Sequence, residues 1–302
     1  MDRLHIGNYA FDRLALGAMR LLSANLARDG HEVESFAMPA DPEANRECLR
    51  AAVNDMGIGY VDFARGYGPW AGAGESLFRE WMAPYPAGLL WATKVGYQRT
   101  PEGGWVLDLS PESIARDVAE SRRELGAPIP LLYLVVNSTS DVAVRNRPAR
   151  LADAFAPLVE AQRRGDVQHL GVANVTAAEL AELTAVAPVA AVQNKLTVAS
   201  LSDPAQRAVL DACRRAGIPF VAWGIFQADG PEAWQPGPVL EEAARELGVT
   251  PQEASIAILL AAAPNLVVLS GASRRRSLES SVRAAHLSVP PALLARFTQE
   301  AR

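Results

Sequence analysis

The chain has 302 residues, 49% of them hydrophobic, and a formal net charge of −5 at pH 7. That composition supports a substantial core, and the acidic balance argues against nucleic acid as a partner. No run approaches the 18 or more apolar residues of a membrane span, so a membrane partner is not expected either.

The start, MDRLHIGNYAFDR, lacks the basic and apolar regions of a secretory leader, and the only cysteines, Cys48 and Cys213, are far apart within helical patterns. Both features suit a cytoplasmic protein with reduced thiols, with neither a disulfide nor a metal pair. After a β-hairpin in HIGNYAFDRL, short apolar runs alternate with amphipathic segments of helix length. The strand candidates are 14–19, 58–63, 89–95, 131–137, 167–174, 189–196, 218–225 and 266–271, mostly continuous in hydrophobicity, as strands buried on both faces are.

Helix starts are marked at Asp41-Pro42, Ser110-Pro111, Asp203-Pro204 and Thr250-Pro251, where a capping side chain precedes proline at the first helical position. Thr176 with Glu179 and Thr250 with Glu253 match the capping box. Ile114, Val118, Ser121 and Leu125 form one helix face, and Gly57, Gly126, Gly165, Gly217 and Gly248 stand where helices should end. Eight such units point to an α/β TIM (β/α)8 barrel with an N-terminal β-hairpin, one domain over residues 1–302. No G-x-G-x-x-G follows the first strand, and the look-alike YGPWAGAGES (67–76) is read as a loop. The less regular stretches 23–40 and 226–238 are candidate active-site loops.

In this architecture chemistry sits at the carboxyl ends of the strands. The second strand ends in Asp62 with Tyr67 beyond it, and the third delivers Lys94. The fifth ends in Asn174, the sixth in Gln193 and Asn194, and the seventh carries Trp223 and then Phe226. An ammonium beside a phenol stabilises the phenolate and lowers its pKa, while a carboxylate keeps the lysine charged. Together the three could protonate a carbonyl oxygen as hydride reaches its carbon. Singly, Asp62 could be a turn residue, Tyr67 or Trp223 packing, and Lys94 a solvated charge; their coincidence at one end of a barrel favours chemistry.

These residues lie in segments that resemble the aldo-keto reductases over nearly the full chain: LALGAMRL, YVDFARGYGP, ATKVG, GDVQHLGVANV, VAAVQNKL, IPFVAWGIF and VVLSGASRRRSLESSV. The run LWATKVGYQRTPEGGW is similar to the bacterial pyridoxal-reductase-like branch. The resemblance implies a reductase that binds NADPH at the carboxyl face and turns a small-molecule aldehyde or ketone into an alcohol. Asp62, Tyr67 and Lys94 take three tetrad places, with Tyr67 as general acid. Asn174 and Gln193 would hold the nicotinamide carboxamide and Trp223 would stack on its ring. Gly224, Ile225 and Phe226 would line the pyrophosphate. Gly17, Ala18 and Met19 join the cofactor set, as do Ser270, Gly271, Ala272, Ser273 and Arg274 near the adenosine 2′-phosphate, with Ser277, Ser280 and Ser281. Trp70, Val135 and Asn137 are assigned to the substrate pocket.

Departures from the family pattern are specific. The tetrad His falls on Val135, or on Val136 with a gap, and neither can donate a hydrogen bond; Asn137 is the nearest polar residue. His169, on the next strand, is expected to be structural. The Thr of the family's D-T-A is Phe63, and the Ser of its S-N is Ala173. In the cofactor loop the basic residue before the last helix is Ser277, and the Glu-Asn pair that reads the adenine amino group is Ser280-Ser281. Losing a charge-assisted bond to phosphate costs about 1.5–3 kcal/mol, which Arg274 to Arg276 could partly restore. Alternatives to reduction are proton-transfer chemistry in a specialised biosynthetic pathway and a cofactor-sensing protein without turnover. With no apolar surface run or heptad pattern, a monomer is expected.

Overall fold

The computed structural model describes residues 3–28, 31–99, 105–138, 142–226 and 234–298. Eight parallel strands form a closed barrel: β1 (Leu14–Gly17), β2 (Tyr60–Asp62), β3 (Leu90–Val95), β4 (Ile129–Val135), β5 (Val167–Ala173), β6 (Ala191–Lys195), β7 (Phe220–Trp223) and β8 (Leu266–Ser270). Each expected strand is present; β4 begins and ends two residues before the expected run, and the others are trimmed at one or both ends. Every residue of β4 is buried, because its outer face meets helices and its inner face meets the barrel interior. At roughly 1.5–3 kcal/mol for each large apolar side chain buried, such strands can occupy no solvent-facing place.

The helices are α1 (Pro42–Asn54), α2 (Ala73–Met82), α3 (Pro111–Leu125), α4 (Leu151–Arg164), α5 (Ala177–Thr184), α6 (Pro204–Ala216), α7 (Pro238–Leu247), α8 (Pro251–Ala262), α9 (Arg275–Ala285) and α10 (Pro291–Thr298), beside a single turn at Met19–Leu22. Asp41 accepts from the Ala44 amide, Asp203 accepts from the Ala205 and Gln206 amides, and Thr176–Glu179 and Thr250–Glu253 form reciprocal capping boxes. Each cap is worth about 1 kcal/mol. Ser110 differs: its hydroxyl donates to Asp108 and caps nothing. Ile114, Val118, Ser121 and Leu125 are all buried. Cys48 and Cys213 are free, buried thiols. No helix among the described residues is long and apolar enough to cross a membrane.

The expected hairpin is Leu4–Ile6 paired with Tyr9–Phe11. It covers the amino-terminal end of the barrel, with Phe11 fully buried against Tyr60 and Gly7 lying on the His169 ring. Three stretches read as loops take the following form. Residues 67–76 are not all loop, because Ala73 already opens α2. Within 23–40, Ala24–Arg28 and His31–Ala37 make an antiparallel ribbon. Within 226–238, residues 227–233 lie outside the described residues; Phe226 meets Trp234 with ring centroids 5.3 Å apart. A small sheet without a counterpart in the sequence reading joins Tyr97–Arg99, Trp105–Asp108 and Ala143–Arg145 above β3 and β4.

Candidate active site

Strand register brings the site together. Gly17 pairs with Asp62, Asp62 with Ala92, Lys94 with Tyr133, Val135 with Ala173, and Ala173 with Gln193. Gly17, Asp62, Lys94, Val135, Ala173 and Gln193 thereby meet around a cavity of about 850 Å³ at the carboxyl rim.

At its floor Lys94 Nζ donates to Asp62 Oδ1 at 2.5 Å and to the Phe63 carbonyl at 2.8 Å. Gln193 Nε2 donates to Asp62 Oδ2 at 2.8 Å, so both carboxylate oxygens are used. Asp62 is only 3% exposed. Burial raises its pKa against the pull of the Lys94 charge, and burial lowers that of Lys94 against the pull of Asp62. The Tyr67 ring centroid lies 6.0 Å from Lys94 Nζ, as does that of Tyr133. Across the interior the Tyr60 and Tyr133 hydroxyls are 2.9 Å apart, and burial holds both phenols well above their ordinary pKa. They extend the polar floor from Asp62 toward the barrel centre.

Asp62, Tyr67 and Lys94 all border the cavity, as does Val135, whereas Val136 is buried without reaching it. From the cofactor set Gly17, Met19, Asn174, Gln193, Trp223, Gly224, Ile225, Phe226, Ser270, Gly271, Ala272, Arg274, Ser277, Ser280 and Ser281 border it too. Four assigned residues do not. Ala18 is buried with its amide donating to the Asp62 carbonyl, and Ser273 lies off the wall. Trp70 is 57% exposed outside the cavity. Asn137 is turned away, donating to the Asn174 carbonyl and Glu179 and accepting from Arg147.

Several polar groups are already committed. Asn174, in the left-handed region at φ 57°, accepts from Trp223 Nε1 at 3.1 Å and donates to the Asn137 carbonyl, which fixes the indole. Asn194 bonds both the amide and the carbonyl of Val175 and so shapes the turn after β5. Ser281 pairs with Ser270, and Ser280 donates to Glu253 at 2.7 Å. Of the three arginines, Arg274 and Arg276 line the cavity, but Arg275 turns out to Asp55 and Glu279. Phe63 leaves the site altogether, packing on Phe78 with centroids 4.2 Å apart. His169 lies under the hairpin, edge-on to Tyr9.

Sequence reasoning missed Tyr97, Trp105, Glu253 and Arg283 on the wall. Glu253 was visible only as a capping residue. Also missed was a buried cluster behind the Tyr67 loop: Arg65 faces Glu75, Asp117 and Glu120. Its members are scattered along the chain, so no spacing pattern announces them.

Residues 13–299 match the Aldo/keto reductase family. The chain is 28% identical over 291 residues to pyridoxine 4-dehydrogenase of Escherichia coli (strain K12), covering 96% of this chain and 94% of that protein. Among solved structures it resembles the glycerol dehydrogenase of Gluconobacter oxydans, with a TM-score of 0.75, 19% identity and coverage of 100% and 98%. It also resembles a Bombyx mori aldo-keto reductase in complex with NADP, with a TM-score of 0.71, 14% identity and coverage of 98% and 91%. The barrel, the rim residues and a match spanning nearly the whole sequence lead to one conclusion: this chain belongs to the aldo/keto reductase family of oxidoreductases.

Proposed function

We propose that the chain is an NADPH-dependent reductase of an aldehyde or ketone carried by a small organic molecule, with Tyr67 as general acid. The observation that carries this reading is the Lys94–Asp62 ion pair beneath Tyr67, in a cavity whose far wall holds Trp223. The residues fit the cofactor. Arg274 and Arg276 supply cations for phosphate at the β8 end, a side chain at Gly271 would meet only open space, and the Trp223 indole is held by Asn174. Two proteins support the choice by their names: the E. coli relative is a pyridoxine 4-dehydrogenase, and the Bombyx mori structure holds NADP.

When bound, NADPH supplies hydride to the carbonyl carbon. The protein's part is to give a proton to the oxygen. Lys94 stabilises the phenolate that Tyr67 becomes, Asp62 holds Lys94, and Gln193 and the Phe63 carbonyl fix that pair. Asn174 and Gln193 are already engaged, so they serve this reaction by fixing Trp223 and Asp62; a nicotinamide carboxamide would compete for those bonds. The same reading takes residues 1–302 as one cytoplasmic, monomeric domain.

The test is a titration with NADPH followed by tryptophan fluorescence, with Trp223→Phe as control, and then 4-nitrobenzaldehyde turnover. Tyr67→Phe should lower kcat by about a hundredfold or more and leave NADPH affinity intact. Absence of binding at millimolar NADPH would sink the proposal. A second reading, proton transfer without hydride transfer, is favoured by the apolar Val135 in the cavity wall. A conversion abolished by Tyr67→Phe, with no NADPH oxidised, would select it.

A further inference from the structure

Val135 leaves the rim of β4 without a hydrogen-bond donor for a carbonyl oxygen. Directly against it lies Gly96: a Cβ there would stand 3.0 Å from the Val135 carbonyl oxygen and 3.6 Å from the Val135 Cβ. At φ 116° Gly96 turns the chain, and the next residue, Tyr97, begins the small sheet and borders the same cavity as Tyr67 and Lys94. The sheet holds Tyr97 firmly. Its ring meets Trp105 edge-on with centroids 5.6 Å apart. Trp105 rests on Gly66, where a Cβ would fall 1.9 Å from the indole, one residue before Tyr67. The Arg99 guanidinium lies 3.9 Å from the Trp105 ring and donates to the carbonyls of Gly66 and Gly68 at 2.8 Å. The loop bearing Tyr67 and the strand bearing Tyr97 are thus tied into one block.

We propose that Tyr97 is the second hydrogen-bond donor to the carbonyl oxygen, in the place that Val135 leaves apolar. The assignment rests on the reductive reading above. Bound NADPH would supply a hydride, with its two electrons, to the carbonyl carbon, and the C=O π pair would move onto oxygen. Tyr67 gives that oxygen its proton, becomes a phenolate facing Lys94 and regains a proton from solvent. Tyr97 keeps its own proton and donates a hydrogen bond as charge develops on the oxygen. Its Oη lies 3.4 Å from Ser138 Oγ, at the long limit of a hydrogen bond. The bland alternative is a tyrosine that merely packs on Trp105.

Four proteins separate the two: the wild type, Tyr97→Phe, Val135→His and the double variant. Removing one oxyanion donor typically costs about 10²–10³ in kcat, so Tyr97→Phe should lower kcat on 4-nitrobenzaldehyde by about tenfold or more. NADPH affinity by fluorescence and the thermal midpoint should stay unchanged. Val135→His in the Tyr97→Phe background should restore most of the lost kcat, because an imidazole there supplies the missing donor. Rescue from a different strand is something a packing role cannot show. Unchanged kcat in Tyr97→Phe overturns the proposal, as does a loss without rescue or one accompanied by weaker NADPH binding. A wild type that binds NADPH but reduces no carbonyl compound removes both this assignment and the reductive reading; an active enzyme indifferent to Tyr97→Phe removes this assignment alone.

Discussion

Glu75, on α2 behind the Tyr67 loop, offers a stability measurement whose sign follows from its surroundings. Its side chain is fully buried, accepts from Thr93 Oγ1 at 2.8 Å and faces Arg65 at 3.5 Å. That guanidinium also faces Asp117 at 3.8 Å and bonds Glu120, so three carboxyl groups meet one cation. Burial, with some help from Asp117, pushes Glu75 from an ordinary 4.5 up to about 7, against the pull of Arg65. The folded chain therefore holds this proton more tightly than the unfolded chain does. Between those two pH values the folded state binds the extra proton, so stability falls as pH rises. At about 1.36 kcal/mol per pH unit, the loss between about pH 5 and about pH 8 is roughly 2–3 kcal/mol. Glu75→Gln keeps the shape and removes the charge. Urea unfolding of both proteins at each pH should show near-equal stability on the acid side and an advantage of about 2 kcal/mol for the variant on the alkaline side. A difference that stays constant with pH, or a variant less stable on the alkaline side, would refute the reasoning. Asp117, which burial pushes up to about 6, adds a slope of the same sign to both proteins and so leaves their difference unchanged.

Two further predictions probe the barrel floor. Gly171→Ala would place a Cβ 2.5 Å from two atoms of the fully buried Tyr133 ring, which has no room to retreat. A loss of about 1–3 kcal/mol is expected, read as a lower urea midpoint, and an unchanged midpoint would mean the ring is loosely held. Asp62→Asn replaces one of two accepting oxygens with a donor, facing either Lys94 or Gln193. Lys94, already lowered by burial, should fall further, so kcat on 4-nitrobenzaldehyde should drop by about a hundredfold and its alkaline limb should move to lower pH. A rate profile of unchanged shape would show that the carboxylate does not tune Lys94.

The barrel was legible because its strands are buried on both faces and its helices carry their own punctuation. Continuous apolar runs such as the one expected at 131–137 admit few other places, and Thr250–Glu253 caps a helix through contacts three residues apart. The small sheet was not legible. Ala143–Arg145 is exposed throughout and Tyr97–Arg99 only half-buried, so neither shows the alternation that marks a strand. Side-chain partnerships were least visible. Gln193 and Asp62 are 131 positions apart, and nothing local to Gln193 says that it turns to a carboxylate. Asn137 looked available because it stands beside the vacant tetrad slot, yet Arg147 and Glu179 claim it from two other segments.

The pattern of change around the site follows from how its groups are connected. Asp62 has both oxygens occupied, one by Lys94 and one by Gln193, in a place almost closed to water. Removing one partner there strands a buried charge, at about 3–5 kcal/mol, so this floor can change only as a unit. The residues that depart from the family pattern are held differently. Val135 contributes no side-chain hydrogen bond, Phe63 has joined the aromatic cluster with Phe78 and Trp91, and Ser280 has found a partner in Glu253 from another helix. Each can be exchanged without leaving a charge uncompensated. A donor lost at Val135 is also the kind of loss a neighbouring strand can make good, because the requirement is a hydroxyl or imidazole aimed at one point in the cavity, from whichever element reaches it. Tyr97, one residue beyond the glycine that touches Val135, borders the same cavity.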